Sequence, residues 1–524
     1  MGVIENLSMQ IINAVKRWST KKKLLVLIVV WILIFVPAVM IYNSIQKEKM
    51  FSYYPESSSP INNINEDFDV SVFANGSKAE LSQSEDRYVT SVVKGESVNF
   101  TWMTKNFLLP DTPDPHMGQV RVHYNTTWNE NGVIILQKVE KSGEYENKTW
   151  KGKKTFQGTG KVYFYYRIDE RDIGRFHRRA STLIQGGNLY EDTTTGPPPL
   201  INFIFIPPTL ISPPVSIGGY FLSFYIYFSI FILLGGILLF YSFRDWGEHK
   251  AFIASILYIV NPISLSTIIQ DESVIAFIII LTIFILIRGK EKLGALTIGL
   301  GSLTKVWSGF FIPAQLFDRN IRFKKRIRNF IMAASVLGGG LSSFYLMWGP
   351  KVFWFFTFYG GARSKLRPRD VSIWNHLGTI SGSIPIPSST LILLSIIIIE
   401  ILLLYIAYKK RWDTISTFTA TLFIFMLFYP KIHLDYYLLL MPTLLFYSVR
   451  NIRNFKLFVA FYVFLIISRG RKYLPTGPYN ITIWISFIAG VMFTLIGLKI
   501  ISLFITEDEM TKYFTEIFEE RSNI

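Results

Sequence analysis

Long apolar runs are the feature that most constrains the fold of this chain. Stretches such as LLVLIVVWILIFVPAVMIY near the N-terminus and LILLSIIIIEILLLYIAY near residue 400 are almost free of charge. Each has about the length that a helix needs to cross a bilayer. The sequence therefore predicts an α-helical multi-pass membrane protein, with about twelve transmembrane helices on this criterion.

The predicted spans are divided unevenly along the chain. The first covers residues 24–43, so residues 1–44 form a cytoplasmic N-terminus and one helix, although a cleaved signal peptide stays an alternative. The others fall in a bundle over 216–506, near residues 216–241, 250–269, 273–288, 291–304, 306–319, 329–348, 389–408, 414–429, 435–448, 455–468 and 480–505. Several are short, notably the pair broken around Lys305. Broken helices are tolerated at membrane depth where they line a cavity.

Charge and composition restrict the class of protein further. The formal net charge is +17, which the accumulation of Lys and Arg in cytoplasmic loops explains without a nucleic-acid partner. If the spans alternate from a cytoplasmic N-terminus, both termini lie in the cytoplasm, and residues 507–524 form an acidic cytoplasmic tail. The membrane would be the cell membrane or the ER membrane. The chain has no cysteine, which excludes disulfides, zinc–thiolate sites and thiol nucleophiles.

A polar region interrupts the membrane pattern over residues 45–168. Short alternating segments such as QVRVHYNTTW and KVYFYYRI predict an extracytoplasmic antiparallel β-sandwich. Four Asn-x-Ser/Thr sequons in this region predict glycosylation at Asn75, Asn99, Asn125 and Asn147.

Several cations lie where the topology predicts outer loops, against the positive-inside tendency. A polyanion at the outer face would explain them, because phosphate is bound by Arg and Lys donors. Contacts to anionic lipid headgroups or to carboxylates of the same chain are the alternative. The predicted phosphate-binding residues are Lys305, Arg363, Arg367, Arg369, Lys431 and Arg471.

Residues 169–215 join the β-rich region to the bundle. Ile173, Phe176 and Ala180 recur on one face, which predicts an amphipathic helix on the outer leaflet that ends at Gly186-Gly187. Asp169, Glu170 and Asp172 lie at its start, either as helix caps or as a base beside a bound phosphate. A proline-rich, re-entrant stretch follows.

The acidic helix and the proline-rich stretch resemble the first outer loop of the GT-C superfamily, the polytopic glycosyltransferases that use polyprenyl-phosphate sugars. The similarity is greatest to the dolichyl-phosphate-mannose mannosyltransferases of GPI-anchor assembly and to related prokaryotic multi-pass enzymes. The residues that carry it here are Glu170-Arg171-Asp172, Phe176, Ala180, Gly186, Tyr190, Pro198-Pro199-Leu200 and Pro207. Further matches follow in order at Asn261-Pro262, Asp271-Glu272-Ser273, Lys305, Pro313, SIWNHLG and KIHLDYYLLLMP.

The resemblance implies an inverting transfer of a mannose-like hexose from a polyprenyl- or dolichyl-phosphate donor. The acceptor would be a lipid-linked glycan or a protein at the extracytoplasmic face, within the membrane lipids. Asp172, Glu170 or Asp169 would be the general base, and His433, Tyr190, Asp271 and Glu272 would contact substrate. No cofactor is required by the pattern, but a divalent ion, Mg²⁺ or Mn²⁺, at Glu170 and Asp172 stays open.

A transporter or lipid flippase with an outer sensing domain is the alternative from another class. Such a protein would carry ionisable residues or inverted repeats within its spans. The spans hold few ionisable residues, of which Glu400 is the main one, and no inverted repeat is evident.

Overall fold

The computed structural model describes most of the chain, which forms two compact units. The described residues are 14–49, 69–74, 77–78, 80–82, 87–105, 119–128, 130–138, 147–166, 171–190, 195–211, 219–353, 355, 369–381, 389–449, 451–469 and 481–506. The first unit holds Met1–Pro37, Arg178–Pro207 and Ile226–Ile524. The second holds Ala38–His177 and Pro208–Tyr225.

Most of the described residues outside the β-rich region are helical. The α-helices are α1 (Thr20–Lys49), α2 (Arg171–Ile184), α3 (Leu200–Ile204), α4 (Ile206–Ile211), α5 (Gly219–Phe243), α6 (Glu248–Val260), α7 (Pro262–Ser266), α8 (Glu272–Ile287), α9 (Glu291–Thr304), α10 (Phe311–Phe317), α11 (Phe323–Trp348), α12 (Ile373–Ser381), α13 (Ser389–Lys410), α14 (Thr414–Phe428), α15 (Met441–Ser448), α16 (Ile452–Ser468) and α17 (Ile481–Thr506). Five 3₁₀ turns are described, at Arg244–Trp246, Thr267–Ile269, Val306–Phe310, Pro350–Phe353 and Leu434–Leu439.

Several of these helices are long and apolar enough to span a membrane. Within the described ranges there are five: Thr20–Ile45, Phe221–Trp246, Phe323–Trp348, Thr390–Lys410 and Ile483–Thr506. The pair α6 and α7, bent by 43°, makes a sixth if it is one span. These helices are consistent with the predicted multi-pass membrane protein. The predicted total of twelve stays a prediction, because α8, α14 and other apolar helices are shorter.

Two helix breaks have clear local causes. Between α6 and α7, the Asn261 side chain accepts a hydrogen bond from the Ile263 N–H at 2.7 Å, and Pro262 occupies the first helical position. An N-cap followed by proline starts a new helix at this point. At the second break, α9 ends at Thr304 because Lys305 adopts an extended backbone (φ −156°, ψ 145°) before a 3₁₀ turn.

Burial separates central helices from peripheral ones. Nearly every residue of α14 and all eight residues of α15 are buried, as expected for helices packed on all sides. In contrast, α13 exposes Leu391, Leu394, Ile398 and Ile401. That apolar exposure is the pattern of a helix that faces lipid.

The acidic segment, which the sequence predicts to be an amphipathic helix, forms α2. Ile173, Phe176 and Ala180 are buried on it. It ends at Gly186, whose φ of +74° allows the N–H groups of Gly186 and Gly187 to bond the carbonyls of Leu183 and Thr182.

The β-rich region forms an antiparallel sheet in the second unit. Its strands are β1 (Asp69–Ala74), β2 (Ser77–Lys78), β3 (Glu80–Ser82), β4 (Arg87–Val92), β5 (Ser97–Lys105), β6 (Gln119–Thr126), β7 (Asn131–Lys138), β8 (Asn147–Thr155) and β9 (Gly160–Tyr166). They form one hydrogen-bonded order, β2-β1-β5-β8-β7-β6-β9-β4-β3. The registers β5·β8 and β6·β7 are the longest, for example Trp102↔Trp150 and Tyr124↔Gly132.

All nine strands of the described region share one hydrogen-bonded order. Phe100 on β5 and Tyr124 on β6 both contact the ring of Phe156, with centroid distances of 6.2 and 5.3 Å, so that these strands contribute to one aromatic cluster. The predicted sandwich stays a prediction.

The four predicted glycosylation sites fall in this region. Asn99 is exposed on β5. Asn125 lies on β6 and Asn147 begins β8. Asn75 lies outside the described residues.

Glu130 is the polar centre of one end of the sheet. Its carboxylate accepts hydrogen bonds from Trp128 Nε1 (3.0 Å), Tyr124 OH (3.1 Å) and the Gln157 N–H (3.2 Å), and Lys154 Nζ lies at 3.4 Å. Burial raises the pKa of Glu130, but these donors outweigh it and leave the pKa below its usual 4.5. The charged form is therefore the one that the folded sheet stabilises.

Replacing Glu130 with Gln should weaken the sheet. We expect the free energy of unfolding to fall by about 1–3 kcal/mol, because hydrogen bonds to a charged acceptor are lost. Since the folded pKa is lowered, this stabilisation is present above pH 4.5 and disappears as the pH falls through the folded value. Hydrogen exchange of β6–β9 peptides in the full chain, at neutral and acidic pH, measures both effects. Glu96→Gln, in an exposed turn, is the control, and equal effects of the two substitutions would contradict the assignment.

Candidate active site

The candidate site lies in the first unit, where the breaks between helices meet. Lys305, at the break after α9, reaches the start of α8. Its Nζ lies 2.9 Å from Asp271 Oδ1 and 2.5 Å from Glu272 Oε1. The three side chains are only 7 %, 6 % and 3 % exposed. We call these residues the Lys305 triad.

The local sequence explains the geometry of the triad. Asp271 occupies the N-cap position of α8 without a side-chain capping hydrogen bond, and Glu272 stands in the first turn, where the helix dipole favours negative charge. The extended backbone at Lys305 ends α9 and presents the lysine to these two carboxylates. One lysine is therefore shared by two buried carboxyl groups, and a single ionised carboxylate is enough to neutralise its charge.

Tyr436 connects the triad to the segment that follows α14. Lys305 Nζ lies 5.4 Å from the centroid of the Tyr436 ring, a cation–π distance. The ring also contacts Trp307 at 5.2 Å and the edge of His433 at 5.5 Å. Asp435, beside it, accepts a short hydrogen bond from Ser266 Oγ.

A second polar group includes His433, whose ring contacts Tyr436. A two-residue parallel bridge pairs Arg369 with Lys431 and Asp370 with Ile432, forming β10 (Arg369–Asp370) and β11 (Lys431–Ile432). Asp370 Oδ1 lies 3.2 Å from Arg469 Nε, and Asp370 Oδ2 lies 3.9 Å from His433 Nδ1. Predicted residues far apart in sequence thus meet here.

Tyr190 is packed near the break at Lys305. It belongs to an apolar cluster with Leu303 and Trp348, against which Val306 also packs. Burial raises the pKa of Tyr190, and nearby Arg179 only partly opposes this, so the phenol stays protonated. Its hydroxyl is buried and has no hydrogen-bond partner among the described residues, and is thus available as a donor.

Asp172 lies in the second unit, in the first turn of α2. Its Oδ1 is 3.3 Å from Arg175 Nη1, and the two side chains are 41 % and 45 % exposed. The carboxylate is therefore accessible to solvent. The other two predicted bases, Asp169 and Glu170, lie outside the described residues.

The predicted phosphate-binding residues have mixed outcomes. Lys305 is buried and paired, and Lys431 is half-buried on β11. The backbone of Arg369 is placed beside Lys431 by the bridge. Arg363, Arg367 and Arg471 lie outside the described residues.

Four residues of this region are not among the predicted site residues: Asp370, Asp435, Tyr436 and Arg469. Asp370 closes the basic loop, and Arg469 precedes the predicted Arg471 by two positions. Asp435 and Tyr436 stand directly after His433 in the KIHLDYY segment. Each of the four residues therefore lies close in sequence to a predicted residue, but only its contacts in the folded chain distinguish it from its neighbours.

No metal site is evident among the described residues, where no group of three His, Asp or Glu side chains is arranged to hold an ion. Glu170 is not part of that set, so the proposed divalent ion at Glu170 and Asp172 is left to experiment.

Comparison with known proteins identifies the class. Residues 197–442 match the sequence model of glycosyltransferase family 87, a family of GT-C-type polytopic glycosyltransferases. The match includes Asp271, Glu272, Lys305, Lys431 and His433, and it confirms the resemblance to the GT-C superfamily. A search of curated proteins found no match. The family indicates a membrane glycosyltransferase and gives no support to the transporter alternative.

Replacing Lys305 with Met should be strongly destabilising. It leaves two buried carboxylates without their cation, which typically costs about 3–5 kcal/mol. Thermal unfolding of the purified protein in detergent measures this loss. Lys325→Met is the matched control, because Lys325 forms an exposed ion pair with Glu291 at 3.5 Å, worth at most about 1 kcal/mol. Similar losses in the two variants would contradict the triad's structural role, whereas adding Asp271→Asn and Glu272→Gln to Lys305→Met should restore much of the stability.

Proposed function

We propose that this glycosyltransferase moves a mannose-like hexose from a polyprenyl- or dolichyl-phosphate donor to a lipid-linked glycan or protein acceptor. The transfer takes place at the extracytoplasmic face and inverts the anomeric carbon. The observation that carries the proposal is the meeting of the Lys305 triad, Tyr436 and His433 within the region that matches the glycosyltransferase family. Its residues combine charge, hydrogen-bond donors and aromatic surface, as a sugar-phosphate site requires.

The general base in this proposal is Asp172, with Glu170 and Asp169 as the alternatives. The carboxylate takes the proton of the acceptor hydroxyl while the acceptor oxygen attacks the anomeric carbon. The bond from that carbon to the phosphate oxygen breaks, and the lipid phosphate leaves with the electron pair. The accessible side chain of Asp172 supports this role, because a base must be open to substrate.

Cations must stabilise the charge that develops on the leaving phosphate. In our proposal the phosphate-binding set is Lys305, Arg363, Arg367, Arg369, Lys431 and Arg471. Because two carboxylates already neutralise Lys305, we assign most of the net positive charge to the other members. Lys305 then contributes a hydrogen-bond donor that is held in place beside Tyr436.

The remaining substrate contacts follow from hydrogen-bonding capacity. Tyr190 supplies a buried phenol, and His433 supplies an imidazole to the leaving group or the acceptor. Asp271 and Glu272 would accept hydrogen bonds from sugar hydroxyls. Glu272 Oε2 supports this, since it is buried without a hydrogen-bond partner among the described residues.

We also propose that the β-rich region carries N-linked glycans at its four Asn-x-Ser/Thr sequons, on Asn75, Asn99, Asn125 and Asn147. Peptide mass spectrometry before and after enzymatic deglycosylation tests the four sites.

Replacing Asp172 with Asn should lower kcat by about 10²–10⁴-fold, the contribution of a positioned base. The assay is transfer from a polyprenyl-phosphate hexose by the purified enzyme, with and without EDTA to test the divalent ion. Asp245→Asn is the matched control, because Asp245 is also a half-exposed aspartate (39 %) beside an arginine, Arg244, at 3.5 Å. Wild-type kcat in Asp172→Asn would refute this assignment and direct the test to Glu170 and Asp169.

A further inference from the structure

Asp370 has an unusual backbone conformation. Its φ is +46°, and only one other non-glycine residue in the described part of the chain, Arg411 at +57°, has a positive φ. Asp and Asn tolerate this left-handed region better than other side chains, but it is still unfavourable. Such conformations persist where surrounding contacts require them, often at functional sites.

The contacts of Asp370 hold the backbone next to His433. Its Oδ2 accepts a hydrogen bond from the Leu434 N–H at 3.1 Å. Its own carbonyl accepts one from Asn375 Nδ2 at 2.9 Å, and the β10–β11 bridge pairs it with Ile432. The backbone of Asp370 is thus held in place by Asn375 and Ile432, and its carboxylate holds the amide of Leu434, the residue that follows His433.

The same carboxylate faces two basic side chains. Asp370 Oδ1 is 3.2 Å from Arg469 Nε, and these side chains are 10 % and 12 % exposed. His433 Nδ1 lies 3.9 Å from Oδ2, beyond a direct hydrogen bond but within ion-pair range for a protonated ring. Contacts of this kind are often long without substrate and tighten in the complex.

The Tyr436 ring limits where the imidazole can go. It meets the His433 ring edge-on, at an angle of 86°. With Nδ1 on the Asp370 side, Nε2 lies at the opposite side of the ring.

We propose that Asp370 is a positioning residue that sets the orientation of His433 and Arg469 toward the lipid-phosphate leaving group. The identity of the ligand, a lipid phosphate, rests on the proposed function. The positioning of His433 and Arg469 by Asp370 does not. Asp370 holds the His433 segment through the Leu434 amide, and it holds the imidazole and the guanidinium through its charge.

Two substitutions distinguish the effect of the Asp370 charge from the effect of its side-chain hydrogen bond. Asp370→Asn removes the charge, and asparagine still tolerates the left-handed backbone and can accept the amide bond. Asp370→Gly keeps the backbone conformation but removes every side-chain contact. Arg411→Asn is the matched control, because it changes the other positive-φ residue, at the end of α13.

Transfer kinetics give the first measurement. We expect kcat to fall by about 10–100-fold in both Asp370 variants, as for other residues that orient a functional histidine, with a smaller change in KM. In a His433→Gln background, Asp370→Asn should lower kcat by much less, because residues that act together are not additive. Arg411→Asn should keep wild-type kinetics. Wild-type kcat in both Asp370 variants, or fully multiplicative effects with His433→Gln, would overturn the proposal.

Hydrogen exchange gives a second measurement that does not depend on activity. The Leu434 amide should exchange about fivefold faster in Asp370→Gly, as expected for the loss of one hydrogen bond, and should change little in Asp370→Asn. Unchanged exchange in Asp370→Gly would overturn the positioning role. If the wild-type enzyme transfers no sugar from a polyprenyl-phosphate donor, the proposed function fails, while the exchange result still decides the role of Asp370.

Discussion

The buried ion pair of Lys305 with Asp271 and Glu272 is the interaction on which the candidate site depends. Removing three charged groups from water is costly, and close pairing offsets that cost. The distances of 2.9 and 2.5 Å and the low exposure of all three side chains meet that requirement. The pairing also explains why α9 can end abruptly at Thr304 inside the helical unit. The break after α9 places Lys305 beside the carboxylates of Asp271 and Glu272, at the start of α8. Lys305 is their counterion.

The triad changes how the charge of the site is understood. A lysine among apolar residues suggests an open phosphate ligand, but this one is already shared by two anions. Arg469 is likewise matched by Asp370. Lys305 and Arg469 are therefore both already paired with carboxylates, and in our proposal the phosphate site needs Arg363, Arg367, Arg369, Lys431 and Arg471. The Tyr436 ring contacts both groups: its centroid lies 5.4 Å from Lys305 Nζ and 5.5 Å from the centroid of the His433 ring.

Sequence analysis predicted much of this site because its residues lie in short segments with a characteristic order. Asp271, Glu272, Lys305 and His433 were predicted in this way, and the structure brings them into one region. Asp370 and Arg469 were not selected, because their importance depends on partners far along the chain. The Asp370–Leu434 hydrogen bond joins residues 64 positions apart, and the Ser266–Asp435 bond joins residues 169 apart. Periodicity and spacing carry no record of such pairings.

The sequence by itself determined the class of this protein: apolar runs require helices in a bilayer, alternating segments require a sheet, and the order of short motifs indicates a membrane glycosyltransferase. Tertiary structure alone decided which charges neutralise one another and in which order the nine strands pair. The reason is physical. Hydrophobic length and periodicity are local properties, whereas the state of a buried charge depends on the few atoms within about 4 Å of it, and the fold chooses those atoms.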